Sequence, residues 1–192
     1  MDKDRIEKGV RLILEGIGED PSRPGLVDTP RRYAQFCSEV FTGLGTDARS
    51  VIKPMEGEKH NEMVVLKDLS FFSFCEHHIL PFLGKAHIAY IPRGGRIVGL
   101  GNLGRVLESL AHRLQVQERL TTQLADTIMD HLNPLGTMVV IEARHLCLVM
   151  RGVKQPHSRT ITSAVRGIFK TNPSTRSELM SLLSLPRVHF DD

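Results

Sequence analysis

Cysteine is scarce in this 192-residue chain: there are three, an odd number, and that argues against a disulfide framework. Long apolar runs are missing as well. No stretch approaches the roughly 18 apolar residues needed to span a bilayer, and Met1-Asp2-Lys3-Asp4-Arg5 lacks the apolar core of a signal peptide. A reducing cytoplasm, with no membrane partner, is the expectation, and thiolates survive there. Neither charge sign dominates. A net charge of +3 does not imply nucleic acid, so any electropositive role has to come from local clustering, as around an anionic substrate. Internal repeats and low-complexity segments are also lacking. What remains, 41% hydrophobic and 24% charged, is ordinary for a soluble globular chain with its own core.

Against this background one stretch stands out. In Ser73-Phe74-Cys75-Glu76-His77-His78-Ile79-Leu80-Pro81-Phe82 a thiol and two imidazoles fall within four residues. Cys75 and His78 stand three apart, so one tight turn can aim a sulfur and a ring nitrogen at a single cation. Tetrahedral zinc needs a third protein ligand and, if catalytic, an open fourth position. The best candidate is Cys147 in His145-Leu146-Cys147-Leu148-Val149-Met150-Arg151. Read as a strand, this stretch puts His145, Cys147, Val149 and Arg151 on one face and Leu146, Leu148 and Met150 on the other. Four residues of strand span about 13 Å, so one strand would set Cys147 and Arg151 at the two ends of one face. The plainer alternative is that free cysteines are small buried hydrophobes and the His-His pair is surface decoration. Cys37, on the apolar stripe of a helix, is read that way.

Ile6, Val10, Ile13, Leu14 and Ile17 recur at helical spacing and predict a first helix ending near residues 16–18. A second starts with Thr29 as cap and Pro30 at the first helical position, burying Tyr33, Phe36, Cys37, Val40 and Phe41. Arg31 and Arg32 fall in its first turn, where cations oppose the macrodipole unless an anion is near. Strands are expected at Met63–Leu69 and Lys85–Ile91. Two helices follow, one carrying Leu103, Val106, Leu107, Leu110, Ala111 and Leu114, the other running from about Gln117 to His131. Strands at Thr137–Ala143 and His145–Arg151, a segment with Thr160, Thr162 and Val165, and a last helix capped by Thr175 and Glu178 complete the chain. Strands, two helices, then strands exclude a doubly wound sheet and predict an α+β fold, an antiparallel sheet with two helices on one face. The expected organisation is an N-terminal helical region, 1–60, and one continuous unit, 61–192.

Gly99-Leu100-Gly101-Asn102-Leu103-Gly104 fits G-x-G-x-x-G after a short strand, Arg96–Val98, with Glu118 near the distance of a ribose-binding acid. The dinucleotide reading is set aside because here the helix leads to another helix and not back to a parallel strand.

The Cys75-Glu76-His77-His78-x-x-Pro81-Phe82 run, His87-Ile88-Ala89-Tyr90-Ile91-Pro92, Leu114-Gln115-Val116-Gln117-Glu118-Arg119-Leu120-Thr121, and Glu142-Ala143-x-His145-x-Cys147-x-x-Met150-Arg151-Gly152-Val153 together resemble GTP cyclohydrolase I, in order from about Asp28 to about Leu183. The resemblance implies the tunnelling fold, in which sheets of several subunits close into a barrel, in a decamer of two pentameric rings with sites shared between subunits. It implies GTP as substrate and Zn2+ held by Cys75, His78 and Cys147. His77 and His145 become proton shuttles, Glu118 the guanine anchor with Gln117 beside it, and Arg32, Arg105 and Arg151 contacts to the triphosphate. The implied reaction opens the imidazole ring of guanine, releases formate and gives 7,8-dihydroneopterin triphosphate for pterin and tetrahydrofolate synthesis. This chain departs from the family pattern where Gly101-Asn102 replaces Ser-Lys, whose lysine contacts the triphosphate. Gly101 and Asn102 either supply backbone and amide donors instead, or the preferred substrate carries fewer phosphates. A related cyclohydrolase with altered nucleotide preference, and a non-catalytic zinc- or nucleotide-binding relative, are the alternatives.

Overall fold

The computed structural model describes residues 1–55 and 60–186. The expected boundary near residue 60 adjoins positions 56–59, which lie outside the described residues. Two helices come first, α1 (Lys3–Gly16) and α2 (Thr29–Val40), then a single 3-10 turn (Ala48–Val51) and strands β1 (Pro54–Met55), β2 (Val64–Cys75), β3 (Pro81–Ile91) and β4 (Ile97–Val98). Helix α3 (Leu100–Ala111), the short strand β5 (Leu114–Gln115) and α4 (Gln117–Leu132) lead to β6 (Gly136–His145). The helical turn α5 (Leu146–Val149), β7 (Thr160–Gly167), α6 (Ile168–Thr171) and α7 (Pro173–Ser184) follow.

The main sheet runs β5-β2-β3-β6-β7, antiparallel except where β5 joins the end of β2 in parallel. Helices α3 and α4 cover one face. Leu103, Val106, Leu107 and Leu110 repeat at helical spacing on α3, as do Leu120, Leu124 and Ile128 on α4, and both stripes share one buried cluster with Phe71, Phe82, Ile88, Tyr90 and Ile141 from the sheet. Each fully buried side chain of this size contributes about 1.5–3 kcal/mol, so this layer dominates the stability. The opposite face is partly covered too. Ala89 and Met138 pack with Phe169 and Leu179 beneath α6 and α7, while Phe36 and Phe41 meet Phe74 at the other end. Strand β4 pairs with β1 in a separate two-stranded sheet, so among the described residues the strand before the glycine-rich stretch is outside the main sheet and enters no parallel βαβ unit.

The strands β2 and β3 are longer than alternation predicts, reaching Cys75 and starting at Pro81 in place of Leu69 and Lys85. A bulge between Leu66 and Leu69 shifts the inward positions from even to odd numbers, which hides the rest of the strand from a period-two reading. On α1 only Val10 and Leu14 are buried, whereas Ile13 and Ile17 are 63% and 71% exposed. On α2 the stripe narrows likewise: Cys37 is buried as expected, but Tyr33 and Phe36 are exposed. Asp28, not Thr29, occupies the cap of α2, and it draws in both Arg32 at 3.4 Å and Arg31 at 3.6 Å, so the arginines of the first turn carry their own counter-ion. Helix α7 is capped by Asn172, whose side chain accepts from the Ser174 and Thr175 amides, so no Thr175–Glu178 capping box forms.

Gly84 stands between Phe71 and Ala143 in the ladder, and a methyl there would meet the Glu142 carbonyl and the Ala143 backbone. Because that neighbour is backbone, Gly84→Ala is expected to lose about 1–3 kcal/mol, read as a lower urea midpoint at unchanged slope.

Candidate active site

The turn between β2 and β3 brings the first two candidate ligands together. The Cys75 amide bonds to the Leu80 carbonyl and the Ile79 amide to the Cys75 carbonyl, each at 2.9 Å, closing a tight loop. Ile79 accepts a φ of 53° to do so, a conformation β-branched residues avoid. Such strain persists where surrounding contacts over-determine the turn. Glu76 supplies one, a two-pronged ion pair with Arg119 at 2.6 and 3.1 Å. Behind it the Ser73 hydroxyl donates to the last carbonyl of α3, Ala111, at 2.6 Å and pins the end of β2.

The third candidate ligand, Cys147, arrives differently from the sequence expectation. The stretch from His145 to Arg151 is not a strand: β6 ends at His145, and Leu146–Val149 turn helical. The reason lies in the ladder. His145 pairs with Phe82, β3 begins at Pro81, and β7 begins opposite Ala143, so residues beyond His145 have no strand on either side. The backbone closes on itself instead, with the Met150 amide on the Leu146 carbonyl at 2.9 Å. Leu148 and Met150 do not form a second packed face; they are 36% and 63% exposed. The 13 Å strand spacing between Cys147 and Arg151 is therefore replaced by a compact turn.

Cys75, His78 and Cys147 nevertheless converge, with one ligand atom of each within 4.8 Å of the others. The Cys75 sulfur lies 3.9 Å from His78 Nδ1. Burial pushes the Cys147 thiol up, and the neighbouring Cys75 thiol adds to this. Two thiols and an imidazole gathered beside a buried β-strand end fit a soft divalent cation better than they fit packing, and three protein ligands leave a tetrahedral ion one open corner. Arg151 reaches the same group, its Nη1 2.7 Å from His78 Nε2.

His145 stacks on Phe82, the rings 4.6 Å apart and 7° from parallel. Its Nε2 lies 2.7 Å from Gln117 Oε1. Gln117 is 1% exposed, and its amide nitrogen faces the Ile141 and Thr160 carbonyls and the Thr162 hydroxyl at 3.0–3.1 Å. Thr162 meets Thr121, and Thr121 donates back to the Gln117 carbonyl. This ring fixes the amide orientation, so Oε1 must accept and His145 Nε2 must donate. Neutral His145 thus keeps Nδ1 free to take a proton. Burial lowers the His145 pKa, with the Glu118 carboxylate pulling partly the other way. Gln117 is therefore turned inward, towards the protein.

Glu118, in the first turn of α4, is exposed and makes no hydrogen bond or ion pair among the described residues, because Arg119 is engaged by Glu76. His77 is exposed, its ring 6.2 Å from that of His78. The chain brings together Cys75, His78, Cys147 and Arg151 in one group and His145, Gln117 and Glu118 in another. Arg32 sits with Asp28 at the start of α2, while Gly101, Asn102 and Arg105 lie on the first turns of α3; no hydrogen bond or ion pair among the described residues joins them to the thiol group. Sequence reasoning missed the Gln117 network and the Glu76–Arg119 clamp. A Gln next to a Glu at a helix start carries no signal of which one faces inward.

A family model described as GTP cyclohydrolase I matches residues 6–184. A GTP cyclohydrolase 1 of Carboxydothermus hydrogenoformans is 58% identical over 183 residues, covering 95% of each chain. That of Thermoanaerobacter pseudethanolicus is 55% identical over 184 residues, 96% of this chain and 98% of the relative, and that of Caldanaerobacter subterraneus is 54% identical over 187 residues, 97% and 100%. With the match running almost end to end and through every residue of the thiol and imidazole group, the chain belongs to the GTP cyclohydrolase I family.

Proposed function

We propose that this protein hydrolytically opens the imidazole ring of the guanine of GTP, releases C8 as formate and forms 7,8-dihydroneopterin triphosphate, with zinc held by Cys75, His78 and Cys147. The observation that carries the reading is the gathering of these three ligands beside an oriented, neutral His145 in a chain of this family. When bound, the cation supplies Lewis acidity, drawing the pKa of a water towards about 7 where a nucleophile for C8 is needed.

The side chains do the rest. Ring opening moves protons onto the nitrogens released from C8, and His145, with Nδ1 open and Nε2 tied to Gln117, accepts and returns one of them. His77, exposed beside His78, is the second shuttle. The Glu118 carboxylate takes the two adjacent N–H donors of the guanine edge, a pairing that two acceptor oxygens allow and an amide does not. Gln117 acts through His145. Arg151, beside the ligands, meets the triphosphate, and Arg32 and Arg105 complete the clamp of a neighbouring copy in a homo-oligomeric ring.

Gly101 and Asn102 favour weaker triphosphate binding than a lysine at position 102 would give. One charge-assisted bond contributes about 1.5–3 kcal/mol, so Asn102→Lys is expected to lower KM for GTP by roughly tenfold or more with little change for GMP. Equal effects on GTP, GDP and GMP would place position 102 away from the phosphates. The reading as a whole is tested by supplying zinc-loaded protein with GTP and following formate and pterin fluorescence; intact GTP under these conditions would sink it.

A further inference from the structure

A regular β2 would carry its metal ligand on the wrong face. Val64 and Leu66 point towards α3 and α4, and strict alternation would keep even-numbered residues there and turn Cys75 outward. The bulge reverses this. Leu66 pairs with Ile88 and Leu69 with Ala86, so Lys67 and Asp68 together stand opposite His87. Leu69, Phe71 and Cys75 then join the inner cluster.

The bulge has a latch. Asp68 adopts a φ of 63°, and its backbone N–H donates to His87 Nδ1 at 3.2 Å. That bond needs Nδ1 without a proton. Around the ring, β2 contributes Lys67 and Asp68, β3 contributes Lys85 and β6 contributes Glu142; burial of the imidazole outweighs them and lowers its pKa. The flanking side chains are engaged elsewhere: Lys67 donates to the Leu185 carbonyl at 2.6 Å beyond α7, and Lys85 lies 3.4 Å from the Asp68 carboxylate.

We propose that His87 is a positioning residue for the metal centre: by holding the Asp68 amide it fixes the bulge, and the bulge decides that Cys75 faces His78 and Cys147. The inference rests on the reading of those three residues as a metal site. It has nothing to do with contact to substrate, since His87 lies on the outer face of the sheet, opposite Val140.

Cobalt(II) added to the metal-free full-length protein provides the test, because thiolate charge-transfer and ligand-field bands report the ligand set without reference to activity. His87→Asn keeps an acceptor at the position of Nδ1, His87→Gln moves it one methylene away, and His87→Leu removes it. The asparagine variant is expected to bind cobalt within about twofold of the unaltered protein. The glutamine and leucine variants should bind about 10–100-fold more weakly with altered bands, the range seen when groups behind metal ligands are removed. Adding Asp68→Gly to His87→Leu should restore most of the loss, since glycine takes positive φ unaided. Unaltered affinity and bands in the glutamine variant would overturn the proposal, and this comparison decides even if the leucine variant does not fold. Absence of thiolate bands in the unaltered protein would overturn the metal reading itself, and the proposal with it.

Discussion

Cys147→Ala is expected to leave a folded chain that no longer holds zinc: bound metal falls from about one per chain to under about a tenth, and formate release from GTP falls at least about a thousandfold. The second figure follows from the loss of the Lewis acid, which supplies several kcal/mol at about 1.4 kcal/mol per decade of rate. The first follows from ligand count, because Cys75 and His78 alone make an incomplete set. Folding is spared because Cys147 is only partly buried, in a four-residue turn at the edge of the main cluster. Cys37→Ala is the matching control. That thiol is buried on α2 and is not one of the three gathered side chains, so its removal is expected to lower stability by about 1 kcal/mol, near the value of a small buried group, and to leave metal and turnover intact. Metal analysis and formate release on the two proteins separate a ligand from a core residue. Equal zinc content in both would contradict the assignment of Cys147.

His145→Ala should do the converse: zinc is retained while kcat falls by about 100- to 10,000-fold, the range for losing a proton-transfer group. Because burial holds the His145 pKa below the ordinary value of 6.5, the ring is neutral at pH 7 and can accept a proton. Activity that depends on it is expected to persist below pH 6.5 and to be lost as pH falls through the lowered value; the acid limb of kcat/KM measures this. The sign for stability is the same. The unfolded chain takes up protons on these histidines near 6.5 while the folded chain resists, so stability present above 6.5 is lost as pH falls through the folded pKa. His87 and His112 are lowered by burial in the same direction, so acid destabilisation sums over three rings. Retained kcat in His145→Ala would assign the proton transfer to another group.

The nearness of Cys75 and His78 is legible in the sequence because they lie in one tight turn, where spacing alone fixes their proximity. Cys147 is recovered for a reason that is only half right. Its place in a His-x-Cys pattern points to the site, but the strand assumed for it lacks a partner beyond His145, and only the sheet register reveals that the chain must curl there. The helices α3 and α4 follow from their leucine spacing. The full length of β2 does not, because one extra residue at Lys67–Asp68 inverts the alternation within its first half. Gln117 and Glu118 are adjacent in sequence and opposite in fate, one sealed by four polar partners and the other facing solvent, and nothing in their identities tells which is which. That Asp28 neutralises Arg31 and Arg32 is a matter of distances across one helical turn.

Zinc K-edge X-ray absorption of the loaded protein tests the central claim most directly. A ligand set of Cys75, Cys147 and His78 with one open corner predicts two sulfurs at about 2.3 Å, one imidazole nitrogen at about 2.0–2.1 Å and one further oxygen or nitrogen. A shell without sulfur, or one closed by four protein ligands, would contradict it.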